Sequence, residues 1–104
     1  MTKKRERLEV IQDILKVIMD NGEMGPTRLL YASNLSPQMF KEYIEELKDK
    51  KFIEQNENKE KKTFSLTKKG FEFLKKYTEM VGFIEDFGLW SQRKQKIYKG
   101  NVLL

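Results

Sequence analysis

Apolar residues recur at three- and four-residue steps near the start of the chain, where Leu8, Ile11, Ile14 or Leu15, and Ile18 form one stripe between Arg5 and Asp20. That spacing follows the helical turn and predicts an amphipathic helix with one buried face. Asn21-Gly22 ends it. Gly25-Pro26-Thr27 predicts the start of a second helix of about two turns through Leu29, Leu30, Tyr31 and Ala32, because a first-turn proline gives up only an N–H that has no helical partner. Asn34-Leu35 makes the connection. Ser36-Pro37 predicts a third helix running to about Lys50, with the serine hydroxyl as its cap. Its stripe of Phe40, Tyr43 or Ile44, and Leu47 faces inward, while Gln38, Lys41, Glu42, Glu45 and Lys48 face out.

The period then changes. Phe52-Ile53-Glu54-Gln55 and Lys62-Thr63-Phe64-Ser65-Leu66 read as short strands around the polar, turn-forming stretch Asn56 to Lys61, which predicts a β-hairpin with a basic tip. Thr67 caps a fourth helix expected to run to about Trp90, roughly 36 Å at 1.5 Å per residue. Leu74, Tyr77, Val81 and Ile84 on it keep the four-three-four spacing of a coiled-coil seam. Phe73, Met80 and Phe87 repeat every seven residues beside that seam, with Phe71, Phe83 and Trp90 nearby, more apolar surface than one small core needs. A second copy of the chain is the simplest cover; folding back over its own domain is the alternative, and Gly82 and Gly88 are candidate breaks.

These elements define a mainly α fold with a β-hairpin, in the order of a winged helix-turn-helix: three helices, a two-stranded wing and a long C-terminal helix. The expected division is a winged domain over residues 1–66, a dimerisation helix over 67–90 and a basic tail over 91–104. In that fold the second helix of the helix-turn-helix enters the major groove and the wing contacts backbone beside it.

The chain of 104 residues has room for one modest core. Its apolar runs, such as Val17-Ile18-Met19, are far too short for a membrane span, and the charged start leads into no secretory segment, so a cytoplasmic, nucleoid-associated location without membrane contact is expected. Cysteine and histidine are both absent, which removes disulfides, thiolate sites, the commonest metal ligand and the commonest general base. No glycine-rich phosphate loop is present either. We therefore expect no enzymatic activity, no cofactor and no small-molecule ligand.

The net charge of +5 favours an anionic partner. Basic residues gather at the start (Lys3, Lys4, Arg5, Arg7), around the hairpin (Lys59, Lys61, Lys62, Lys68, Lys69) and in an acid-free tail (Arg93, Lys94, Lys96, Lys99). Each run alone is equally compatible with a solvated face; three on so small a domain point to nucleic acid. Phosphate contacts are expected from Lys59, Lys61 and Lys62 on the wing and from Lys3, Lys4 and Arg5, with Arg28 and Ser36 also able to reach the backbone. Base reading falls to Gln38, able to bond adenine, and Lys41, able to reach guanine, although ordinary helix surfaces carry such residues too.

Four segments resemble the small archaeal winged-helix DNA-binding proteins whose long C-terminal helix pairs with a dimer mate in an antiparallel coiled coil. They are Arg7 to Leu15, Thr27 to Ser36, Lys41 to Leu47, and Leu66-Thr67-Lys68-Lys69-Gly70-Phe71-Glu72-Phe73-Leu74. The resemblance covers roughly Arg5 to Trp90 and implies a homodimer on double-stranded DNA, either a chromosomal protein or a transcription regulator. The dimer interface it implies uses Phe73, Leu74, Tyr77, Met80, Val81, Ile84 and Phe87. Against it, the third helix and its end carry as many acids (Glu42, Glu45, Glu46, Asp49) as bases (Lys41, Lys48, Lys50, Lys51), which weakens attraction to phosphate. That balance and the aromatic last helix favour the alternative, a winged-helix module for protein contact in a transcription or replication complex.

Overall fold

The structure, a computed structural model, describes residues 3–58 and 60–89, with side chains from Arg7 onward. Its order is α1 (Lys3–Asn21), α2 (Pro26–Ser33), α3 (Pro37–Asp49), β1 (Ile53–Asn58), β2 (Lys61–Leu66) and α4 (Lys68–Asp86). The winged helix-turn-helix anticipated from the sequence is therefore present, with the C-terminal helix in place. Two compact units divide the chain, residues 1–74 and 75–104.

In the first unit the core grows from the stripe of α1. Ile11, Ile14, Leu15 and Ile18 are all buried there, so both residues of the Ile14/Leu15 alternative face inward. They meet Leu29 of α2, Phe40, Ile44 and Leu47 of α3, Ile53 and Phe64 of the hairpin, and Leu74. Removing apolar surface from water drives this assembly at about 25 cal/mol per Å², so each fully buried Leu or Ile contributes roughly 2 kcal/mol.

The helices start and stop where local chemistry dictates. Pro26 and Pro37 occupy first-turn positions, and the Ser36 hydroxyl accepts the Met39 N–H at 3.2 Å. Asn34 ends α2 in the left-handed region, φ 59°, which a short polar side chain tolerates. α3 stops in a Schellman turn, with Phe52 N–H on Leu47 O (2.9 Å) and Lys51 N–H on Lys48 O (3.0 Å).

The hairpin is longer than its sequence pattern suggests. β1 and β2 pair antiparallel from Ile53↔Leu66 to Asn58↔Lys61, so Asn56, Glu57 and Asn58 lie in a strand and not in a turn. A polar clasp holds this outer face: Glu23 accepts from Thr63 Oγ1 at 2.6 Å and from Asn56 Nδ2 at 3.1 Å, and Asn56 Nδ2 also donates to Ser65 Oγ at 3.0 Å. Next to it Met24 and Phe64 exchange two backbone bonds of 3.0 and 2.8 Å, a one-residue bridge that ties the α1–α2 connection to the wing.

α4 begins one residue after Thr67, whose hydroxyl accepts the Gly70 N–H at 3.0 Å. Gly70 has a specific steric role, because a β-carbon there would lie 2.2 Å from the Phe52 carbonyl oxygen. The helix ends at Asp86, earlier than the expected Trp90, because Gly88 at φ 72° closes a second Schellman turn: Leu89 N–H bonds Ile84 O at 3.1 Å and Gly88 N–H bonds Glu85 O at 2.9 Å. Its 19 residues span about 28 Å. Gly82 does not interrupt it.

Candidate nucleic-acid interface

The helix-turn-helix consists of α2, the turn Asn34 to Ser36, and α3. Burying Leu29 on α2 and Phe40, Ile44 and Leu47 on α3 leaves the opposite sides of both helices in solvent. Arg28, Ser36, Gln38 and Lys41 are exposed there. Ser36 Oγ already caps α3, and its hydroxyl hydrogen is free to donate outward. Gln38 Nε2 donates to Glu42 Oε2 at 3.3 Å, so reaching a base edge requires it to leave this neighbour. Tyr31 has no place in the contact set expected from sequence, yet it stands one turn beyond Arg28 on α2 and is 77% exposed. A single apolar position in an eight-residue helix carries too little periodic signal to separate a core ring from a surface one.

The electrostatics of α3 are sharper in three dimensions than in sequence. The helix ends at Asp49, leaving Lys41 and Lys48 against Glu42, Glu45, Glu46 and Asp49. Lys48 Nζ is tied to Gln55 Oε1 of the wing at 2.8 Å. Glu46 is paired with Arg7 of α1 and lies 3.8 Å from Lys50 Nζ, which offsets one of the four acids. Arg7 and Glu46, with Met39, Glu42 and Tyr43, line a shallow open cleft between α1 and α3. Lys41 is left as the exposed cation of α3.

Lys61 and Lys62 are exposed on β2, opposite Asn58 and Glu57. Lys59 lies outside the described residues, as do the side chains of Lys3, Lys4 and Arg5, Trp90, and the tail from residue 91. Those outer segments carry most of the charge imbalance: residues 7–89 contain 14 basic and 15 acidic side chains, against 21 and 16 in the whole chain.

The residues expected in a dimer seam are distributed unevenly. In the first unit Leu74 is 6% exposed and belongs to the core, while Phe73 is half-buried with its ring 5.0 Å from that of Phe52. Phe71 is exposed. In the second unit Tyr77 is buried, and Val81 and Ile84 are half-buried. Met80, Phe83 and Phe87 form an exposed stripe at steps of three and four, the two phenylalanines 64% exposed with rings 5.0 Å apart. Leu89 is exposed beyond them.

Among the described residues no group of three or more His, Cys, Asp or Glu side chains is placed to hold a metal ion. No described helix is long and apolar enough to cross a membrane.

Comparison with known proteins agrees with this architecture. The family model for the winged helix-turn-helix matches residues 4–85, and the chain belongs to that family. Two uncharacterized proteins of Methanocaldococcus jannaschii are similar in sequence: one is 35% identical over 81 residues, 78% of this chain and 36% of the relative, and the other is 42% identical over 67 residues, 64% of each. The chain thus spans about a third and just under two thirds of these relatives. Among solved structures, the crystal structure of Sso10a-2, a DNA-binding protein from Sulfolobus solfataricus, superposes with a TM-score of 0.66 over 89% of this chain and 96% of that one. At 17% identity this likeness concerns the fold.

Proposed function

We propose that this protein binds double-stranded DNA as a homodimer and has no enzymatic activity, acting in the cytoplasm as a chromosome-associated protein or transcription regulator. The observation that carries the reading is the helix-turn-helix surface: Arg28, Ser36, Gln38 and Lys41 all face solvent on a scaffold that buries its own apolar residues elsewhere. Support also comes from the fold shared with a protein described as DNA-binding. Affinity comes from phosphate neutralisation by Lys61, Lys62 and Arg28, with Lys59 and the basic N-terminal and C-terminal segments adding the long-range attraction that the neutral middle of the chain lacks. Gln38 and Lys41 are the candidates for base contact, and Tyr31 stands where its hydroxyl can meet a phosphate.

For dimerisation, Met80, Phe83 and Phe87, with Val81 and Ile84 beside them, offer the apolar stripe that a second copy would cover. Leu74 and Tyr77 are buried in the single chain and offer a second copy less apolar surface than the stripe does.

The test is binding to a generic duplex across a salt series, with oligomeric state followed by sedimentation in the same samples. A dimer whose log K falls with log salt at about 0.9 per phosphate contacted fits the proposal. Binding no stronger than that of an unrelated basic protein would transfer the function to protein contact, the reading favoured by the two lysines against four acids on α3.

A further inference from the structure

Four described residues have a left-handed backbone, Gly22 (80°), Asn34 (59°), Lys51 (66°) and Gly88 (72°), and each lies within two residues of a helix end. Three of them are glycine or asparagine, the types that tolerate this conformation. Lys51 is not. Its β-carbon crowds its own backbone at the position of the α3 Schellman turn where glycine is favoured, a cost that nothing in the turn itself requires.

The surroundings give the lysine a use. Thr67 Oγ1 donates to Lys51 O at 2.6 Å and Thr67 N–H to Phe52 O at 3.1 Å, which sets the end of α3 against the start of α4. Lys68 and Lys69 open α4. All three lysines are exposed, and among the described residues none is in an ion pair. Lys69 Nζ lies 5.3 Å from the centre of the Phe52 ring. Lys50 is also nearby but is engaged by Glu46 at 3.8 Å; the other acids bordering the group in sequence are Asp49, Glu54 and Glu72. The cluster sits at the base of the wing, five ladder steps from its tip pair Asn58↔Lys61, roughly 17 Å at strand spacing.

We propose that Lys51, Lys68 and Lys69 form a second phosphate-binding surface for DNA, separate from the helix-turn-helix and the wing tip. This rests on the DNA-binding function proposed for the chain. Lysine ammonium groups are point charges without the paired geometry needed to read a base, so the surface adds affinity without sequence preference. The phosphates come either from the flanks of the bound duplex or from a second duplex.

The experiment uses the full chain with Lys51→Gly, Lys68→Gln with Lys69→Gln, and the triple variant. Lys51→Gly raises Tm by roughly 4–8 °C, because glycine removes the left-handed strain, yet it weakens DNA binding. Opposite movement of stability and affinity is an outcome that a purely structural lysine does not give. Where the phosphates belong to the flanks of the bound duplex, the triple variant, folded by circular dichroism, lowers the salt slope of the complex by about 0.9 for each phosphate that is no longer neutralised. A lowered slope on a 40-base-pair duplex but not on a 12-base-pair one assigns the phosphates to the flanks. Unchanged slopes on both, with co-capture of a second labelled duplex abolished, assign them to a bridged partner. Unchanged slopes and unchanged co-capture overturn the proposal. Failure of the unmodified chain to bind duplex at all refutes the DNA-binding function instead.

Discussion

Thr67 joins two parts of the chain sixteen residues apart: its hydroxyl donates to the Lys51 carbonyl at 2.6 Å while accepting the Gly70 N–H at 3.0 Å. One side chain thus caps α4 and fixes the exit of α3. The Leu66-Thr67-Lys68-Lys69-Gly70 segment is explained by this arrangement, since Gly70 must let the Phe52 carbonyl approach to a distance no β-carbon permits. We expect Thr67→Val to cost about 1–2 kcal/mol in urea unfolding through the missing cap and the orphaned donor and acceptor. Gly70→Ala should cost more, about 3 kcal/mol or greater, because backbone and not a flexible side chain blocks the added methyl group. A neutral Gly70→Ala variant would show that the α3–β1 and β2–α4 junctions are looser than described.

Much of this fold is legible in sequence because its helices announce themselves twice, by stripe and by punctuation. Ile11, Ile14, Leu15 and Ile18 give α1 its period; Pro26 and Ser36-Pro37 mark the next two starts. The wing is less legible. Asn56, Glu57 and Asn58 have turn chemistry, and what holds them in a strand is the ladder together with Glu23, an interaction across more than thirty residues that no local pattern contains. The predicted last helix divides for the same kind of reason: Leu74 and Phe87 look equivalent as apolar positions in sequence, but Leu74 is buried in the core of the first unit, while Phe87 lies just past the end of α4 and is exposed. Candidate DNA-binding side chains are readable as exposed polar positions, while the engagement of Gln38 with Glu42 and of Lys48 with Gln55 depends on where the chain folds.

Glu23 supplies a second prediction. It stands beside the Met24–Phe64 bridge and accepts two hydrogen bonds from the outer face of the wing. Glu23→Ala should destabilise the protein by about 1 kcal/mol and speed amide exchange at Met24 and Phe64 well before global unfolding. Unchanged exchange at those two amides would show that the backbone bridge holds the wing without the carboxylate.

Phe83 and Phe87 allow the proposed dimer interface to be tested. Phe83→Glu with Phe87→Glu puts two charges into the exposed stripe, and desolvating them in an apolar interface is strongly unfavourable. The variant should sediment as a monomer, and its thermal transition should lose the concentration dependence expected of a dimer. A variant that remains dimeric sends the interface to another surface, with Phe71 and Leu89 the next exposed apolar residues to examine.

If the proposed DNA-binding function holds, substitutions on the wing and on α3 should fail differently on DNA. Lys61 and Lys62 are exposed on β2 with no geometry for reading a base, so Lys61→Glu with Lys62→Glu should weaken binding to every duplex and reduce the salt slope by about 2. Gln38→Ala removes the exposed amide near the start of α3 and frees Glu42 from its hydrogen bond. If Gln38 contacts adenine, the effect should be confined to particular sites, by about 1–3 kcal/mol, and measured by competition between sequences at one salt concentration. Equal affinity for all competitors before and after the substitution would assign the protein to sequence-independent packaging. Affinity unchanged by the double lysine reversal would remove the wing from the interface, leaving Arg28, Lys41 and the basic terminal segments to account for the attraction.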